Sequence, residues 1–126
     1  MATKPWRVLV VDDDRDTAET LAYLLKGMGH EATFLTESRV VMETVDRVKP
    51  HVVFLDLGMP ELSGWEVAAM IRKKYPYDQL YLVAVSGQAD DKARAKSRHA
   101  GFDAHVKKPV AIDLVESIIK QLTVRR

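Results

Sequence analysis

Short apolar runs alternate along the chain with stretches in which apolar residues return every three or four positions. Val8 to Val11, Val52 to Leu55, Leu80 to Val85 and Ala104 to Val106 are runs of the first kind, and Ala32 to Leu35 is a more mixed fifth. Runs this short, rich in Val, Leu and Phe and closed by turn residues, predict strands of a sheet covered on both faces. Ala18, Leu21, Ala22, Leu25 and Met28 have helical spacing, with Gly27 and Gly29 as a stop. Val41, Val45 and Val48 repeat the pattern before Pro50. Ser63 and Glu66 form a capping box that opens a helix with Val67, Met70 and Ile71 inward, Arg72, Lys73 and Lys74 at its end, and Pro76 beyond. From Ala89 to Ala100 the stripe is thin, with Ala93 and Ala100 set among Lys92, Arg94, Lys96 and Arg98. Leu114, Val115, Ile118, Ile119 and Leu122 make a final amphipathic helix after Pro109.

Strand then helix, five times over, implies right-handed crossovers and an α/β, doubly wound, five-stranded parallel sheet. The order 2-1-3-4-5 places the two least apolar strands, Ala32 to Leu35 and Ala104 to Val106, at the edges. Ligands of such sheets bind beyond the carboxyl ends of the strands, where the order reverses.

A length of 126 residues, 47% of them hydrophobic, makes one domain, 1–126, with a core from about 7 to 122. The absence of Cys excludes thiolate metal sites, redox pairs and cysteine nucleophiles. No apolar run approaches a membrane span, and the first residues lead into acids without a cleavage pattern, so the expectation is a cytoplasmic protein. Nineteen basic residues against 18 acidic ones, mixed along the chain, give no field that would select nucleic acid or an anionic membrane. Gly27, Gly29 and Ala32 match a dinucleotide fingerprint but follow a helix instead of a strand. His30, His51, His99 and His105 lack metal-ligand spacing, and no hydrolytic triad is visible.

The chemistry gathers at the carboxyl edge. The first predicted strand runs into Asp12, Asp13 and Asp14, the third into Asp56, the fourth into Ser86, and the fifth into Lys107, Lys108 and Pro109. Two carboxylates about 5 Å apart repel by about 3 kcal/mol at an effective dielectric near 20, so a cation is needed between them. Hard oxygen ligands with room for water suit Mg²⁺. Asp14 is expected to cap the helix that follows, and for Asp12 and Asp13 capping and metal binding both fit. Asp56 has no local capping role, and burying it unpaired would be costly.

These residues resemble the receiver domains of two-component response regulators, both stand-alone receivers and those of hybrid sensor kinases. The likeness is carried by VLVVDDD (Val8 to Asp14), VVFLDLGMPELSG (Val52 to Gly64), Ser86-Gly87, and GFDAHVKKP (Gly101 to Pro109). It implies a flavodoxin-like (βα)5 fold and a phosphoacceptor switch that is not an enzyme in the usual sense. By resemblance, Asp56 takes a phosphoryl group from a phosphohistidine donor, on a histidine kinase or a histidine phosphotransfer protein. Asp12, Asp13, Asp56 and the Gly58 carbonyl would hold Mg²⁺ or Mn²⁺. Lys108 and Ser86 would contact the phosphoryl oxygens, and the Lys108-Pro109 bond is expected to be cis.

Ser86 and His105 occupy the switch positions. The resemblance implies that they remodel the surface of the fourth helix, fifth strand and fifth helix, through which the protein would act as a monomer or weak dimer on a downstream protein target. His105 stands where an aromatic residue is usual, and Gly58 lacks a side chain near the hydrolytic water. Gly58 and Gln88 are therefore expected to tune dephosphorylation. With the last helix reaching nearly to Arg126, the expectation is a stand-alone receiver or a piece of a larger kinase. The alternatives are a non-phosphorylated interaction module of the same fold and, less well supported, an aspartyl-phosphate hydrolase. The hydrolase would want an acid where Gly58 stands.

Overall fold

A computed structural model describes residues 5–88 and 90–125, with side chains through Leu122. In chain order the elements are β1 (Arg7–Val11), α1 (Arg15–Gly27), β2 (Glu31–Leu35), a 3-10 turn (Ser38–Val40), α2 (Val41–Val48), β3 (Val52–Asp56), α3 (Gly64–Lys74), β4 (Tyr81–Ser86), α4 (Asp91–Ala100), β5 (Ala104–Lys107) and α5 (Ile112–Arg125). All four strand pairings are parallel, and the order is β2-β1-β3-β4-β5, as the alternation predicts. The polar strands β2 and β5 are the edges.

Strand alternation divides the core in two. Val8, Val10, Val52, Phe54, Val83 and Val106 face one side, where α1 and α5 cover them with Leu21, Leu25, Val115 and Ile118. Leu9, Val11, Val53, Leu55, Leu82 and Ala84 face the other, under Val41 and Val45 of α2 and Val67 and Ile71 of α3. Every residue of β3 is buried, which is why a continuous apolar run was needed there.

Three expectations are corrected. Helical spacing places Met70 inward, but it is 41% exposed, because Val67, Ala68 and Ile71 already fill the narrow stripe of α3. Leu114 is likewise 43% exposed at the start of α5, one step off the line of Val115, Ile118 and Leu122. In α4 neither Ala93 nor Ala100 is the fully buried position; that place belongs to Ser97. The start of the Ala89 to Ala100 stripe, at Ala89, lies outside the described residues. The capping residues behave as expected: Asp14 accepts from Asp16 N–H, and Ser63 from Glu66 N–H.

Candidate functional site

The register of β1 on β3 builds the site. Val11 lies level with Leu55, so the next residues, Asp12 and Asp56, come side by side at strand spacing, about 4.8 Å. Both are buried, at 3% and 4% exposure, whereas Asp13 stands exposed at the rim. One carboxylate oxygen from each of the three lies within 4.8 Å of the others. Asp14 is turned away into its cap, where it accepts from Thr17 Oγ1 at 2.8 Å. That geometry separates capping from clustering within one acidic run.

Lys108 reaches in from just beyond β5, and the bond that follows it, Lys108-Pro109, is cis. Its Nζ lies 3.0 Å from Asp12 Oδ2 and 3.2 Å from Asp56 Oδ1. Two main-chain donors add to it: Asp14 N–H to Asp12 Oδ1 at 2.9 Å, and Gly58 N–H to Asp56 Oδ1 at 3.1 Å. The floor is tight as well. A Cβ on Gly64 would sit 2.5 Å from the Asp56 carbonyl oxygen, so only glycine lets α3 start directly beneath the end of β3.

Three carboxylates still face one ammonium. Burial pushes the Asp12 carboxyl above its ordinary value, against the opposing pull of Asp14 N–H and Lys108. The Asp13 carboxyl is raised too, first by its approach to the Asp56 carboxylate and then by burial. For Lys108, burial works against the charge, but Asp12 and then Asp56 outweigh it and hold its pKa up. A set of hard oxygen ligands with surplus negative charge, partly open to solvent, is suited to chelating a divalent cation.

Ser86 ends β4 beside Lys107 in register, and its carbonyl accepts Lys108 N–H at 2.8 Å. Its hydroxyl accepts Gln88 N–H at 3.0 Å. The Gln88 side chain is exposed. His105 is buried on the opposite face of β5 from Val106, with Nδ1 2.7 Å from Ser97 Oγ and Nε2 2.7 Å from the Gln88 carbonyl. Neither Ser97 nor the Gln88 main chain was flagged from sequence. A polar residue in the one weak helical stripe, four positions after Ala93, was the available signal.

This chain belongs to the response regulator receiver domain family, whose model matches residues 8–120. Its acidic cluster is of the kind that forms the phosphoaccepting pocket of such domains, which carry and lose a phosphoryl group on themselves instead of turning over a substrate. It is 34% identical over 115 residues to the sensor histidine kinase AtsR of Burkholderia thailandensis, and 29% identical over 119 residues to the protein RcaC of Microchaete diplosiphon. Those matches cover 90% and 94% of this chain but only 19% and 18% of the relatives. Among solved structures, the BeF3-activated DrrB receiver domain superposes with a TM-score of 0.84 at 25% identity, covering 98% of this chain and 100% of that one. A CheY-like receiver domain protein from Methanospirillum hungatei gives 0.84 at 26% identity over 94% of both chains. Among the described residues, no helix is long and apolar enough to cross a membrane.

Proposed function

We propose that Asp56 is the phosphoacceptor of a signalling switch fed by a phosphohistidine on a histidine kinase or phosphotransfer protein. The observation that carries this reading is the shared contact of Lys108 Nζ with Asp12 and Asp56, in a cluster left with more negative than positive charge. An Asp56 oxygen would attack phosphorus in line, forming a P–O bond as the P–N bond to the donor imidazole breaks. Transfer of this kind depends on positioning and charge neutralisation more than on covalent help from the protein.

Asp12, Asp13, Asp56 and the Gly58 carbonyl are the residues that would hold Mg²⁺ or Mn²⁺. The metal would supply the missing positive charge against the carboxylates and the incoming phosphoryl oxygens. Lys108 keeps its charge and would pair with one phosphoryl oxygen. Because Ser86 Oγ accepts from Gln88 N–H, its own proton is free to be donated to another. A cleft of about 450 Å³ opens beside Lys108, between Thr17, Leu21 and Leu24 of α1 and Pro109 and Val110. It gives the donor protein a partly apolar face to lie on. Gln88, exposed two residues beyond the end of β4, and Gly58, without a side chain, would set how easily water reaches the aspartyl phosphate. Ser86 and His105 would pass the change to the surface of α4, β5 and α5.

Incubation with acetyl phosphate and Mg²⁺, read by intact mass, is expected to show one phosphoryl adduct on the protein and none on Asp56→Asn. An unmodified protein, or an adduct retained in Asp56→Asn, would overturn the assignment.

A further inference from the structure

The loop from Gly58 to Ser63, which joins the acid-bearing end of β3 to α3, is held from outside by the 3-10 turn between β2 and α2. Ser38, buried at 5% exposure in that turn, donates through Oγ to the Pro60 carbonyl at 3.2 Å and accepts Leu62 N–H at 3.3 Å. Arg39 beside it places Nε 2.8 Å from a Glu61 carboxylate oxygen. Resting on the receiver reading above, in which the Gly58 carbonyl is a metal ligand, we propose that Ser38 is a positioning residue for that carbonyl, fixing the loop in the shape that receives a divalent cation.

Between the two groups that Ser38 holds lies Glu61, whose φ of 67° falls in the left-handed region that a Cβ disfavours. The Pro60 carbonyl belongs to the peptide before Glu61, and the Leu62 N–H to the peptide after it. Rotation about φ of Glu61 swings the first, and rotation about ψ swings the second. A single hydroxyl bonded to both therefore fixes the two angles together, its proton on one side and a lone pair on the other. The Arg39 and Glu61 side chains are 67% and 55% exposed, so their ion pair adds little to this hold.

The remainder of the loop has little freedom left. Gly64 N–H donates to the Leu57 carbonyl at 3.2 Å and closes its base, Met59 is buried, and the ring of Pro60 sets its own φ. Glu61 is then the soft point, whose release would let the Gly58 carbonyl turn while Gly58 N–H pulls on Asp56 Oδ1. Apolar packing does not do the holding. Pro60 and Glu61 are exposed, and a hollow of about 210 Å³ runs along the seam between the loop and the turn, lined by Thr36, Glu37 and Arg39 among others. Mg²⁺ demands near-ideal octahedral geometry at about 2.1 Å, so a small turn of one carbonyl ligand is enough to weaken it.

Ser38→Ala is expected to weaken Mg²⁺ binding to the unphosphorylated protein about three- to ten-fold in calorimetric titration, the effect of one or two modest hydrogen bonds. Without metal, amide exchange should quicken at Gly58 as well as at Leu62, while Val10 and Val53 in the sheet keep their native rates. Thr44→Val is the comparison for simple loss of stability. The Thr44 hydroxyl, buried in α2, donates to the Val40 carbonyl at 2.8 Å, and its removal should lower stability without moving Mg²⁺ affinity. Glycine takes a positive φ without penalty, so Glu61→Gly added to Ser38→Ala should return the affinity to within about two-fold of native. Native affinity or native Gly58 exchange in Ser38→Ala, an equal loss in Thr44→Val, or no recovery with Glu61→Gly would overturn the proposal. If Ser38→Ala binds Mg²⁺ as the native protein does and still forms the Asp56 adduct, the role of Ser38 falls and the receiver reading stands. If Mg²⁺ binding depends on Ser38 as stated but the native protein takes no phosphoryl group from acetyl phosphate, the receiver reading falls and the role of Ser38 stands. A native protein that binds no Mg²⁺ would overturn both.

Discussion

Two clusters of buried charge sit at opposite ends of the sheet and are built on opposite terms. At the amino end, each nitrogen of the Arg72 guanidinium on α3 has an acceptor: Nη2 on Asp103 at 2.7 Å, Nε on the Gly101 carbonyl at 2.7 Å, and Nη1 on the Leu80 carbonyl at 2.8 Å. Asp103 also accepts Leu82 N–H, and the ring of Tyr77 lies under the guanidinium carbon at 4.1 Å. One cation meets one anion, and every guanidinium nitrogen donates. At the carboxyl end, Lys108 serves two carboxylates while a third stands beside them. Matched charge closes a structure; mismatched charge keeps a place for something else to bind.

Mutation should expose that difference most sharply at the closed cluster. Arg72→Met strands the Asp103 carboxylate and two carbonyls, and is expected to cost about 3–5 kcal/mol in denaturant unfolding. Uptake of phosphoryl per folded molecule should be unchanged. At the open cluster, Lys108→Met is expected to cost less, about 1–2 kcal/mol without metal, because the ammonium is partly solvated. Mg²⁺ should recover most of that loss in stability, whereas nothing of the kind should rescue Arg72→Met. A metal-insensitive Lys108→Met would erase the difference between the two clusters.

The smallest effect has the opposite sign. Asp13→Asn removes one of three crowded negative charges and should stabilise the metal-free protein by about 0.5–1 kcal/mol, discounted for its exposure, while weakening Mg²⁺ binding. The pH dependence follows from the raised carboxyls of Asp12 and Asp13. The folded state holds their protons to higher pH than the unfolded chain, so their contribution to stability falls as pH rises from the ordinary carboxylate range through the raised values. Thermal melts of the metal-free protein should show this fall, and Asp13→Asn should flatten it. An unaltered slope would mean that the acids are not under mutual strain.

Much of this was legible in the chain because the sheet is parallel and covered on both faces. Each central strand must then be a continuous apolar run, and a chemical group just past its end is conspicuous, as Asp12, Asp56 and Ser86 were. What stayed hidden depends on partners far away in sequence. Arg72 reads as one of three basic residues at the end of α3, yet it is drawn inward by Asp103 and by carbonyls from two other segments. Ser97 is polar and still buried, because His105 and the Ala93 carbonyl satisfy its hydroxyl. Met70 and Leu114 went the other way: helical spacing marks a stripe but does not say how wide the neighbouring surface is.

The alignment of Val11 with Leu55 also makes cation affinity a reporter of assembly. β1 and β3 are brought together across the whole of α1, β2 and α2, a non-local contact of the sort that forms late and slowly. A slip of one residue between them would turn one acid to the far side of the sheet and leave its neighbour alone. In a refolding experiment, the moment at which the chain first captures a divalent ion would therefore date the docking of these two strands, separately from the appearance of helix.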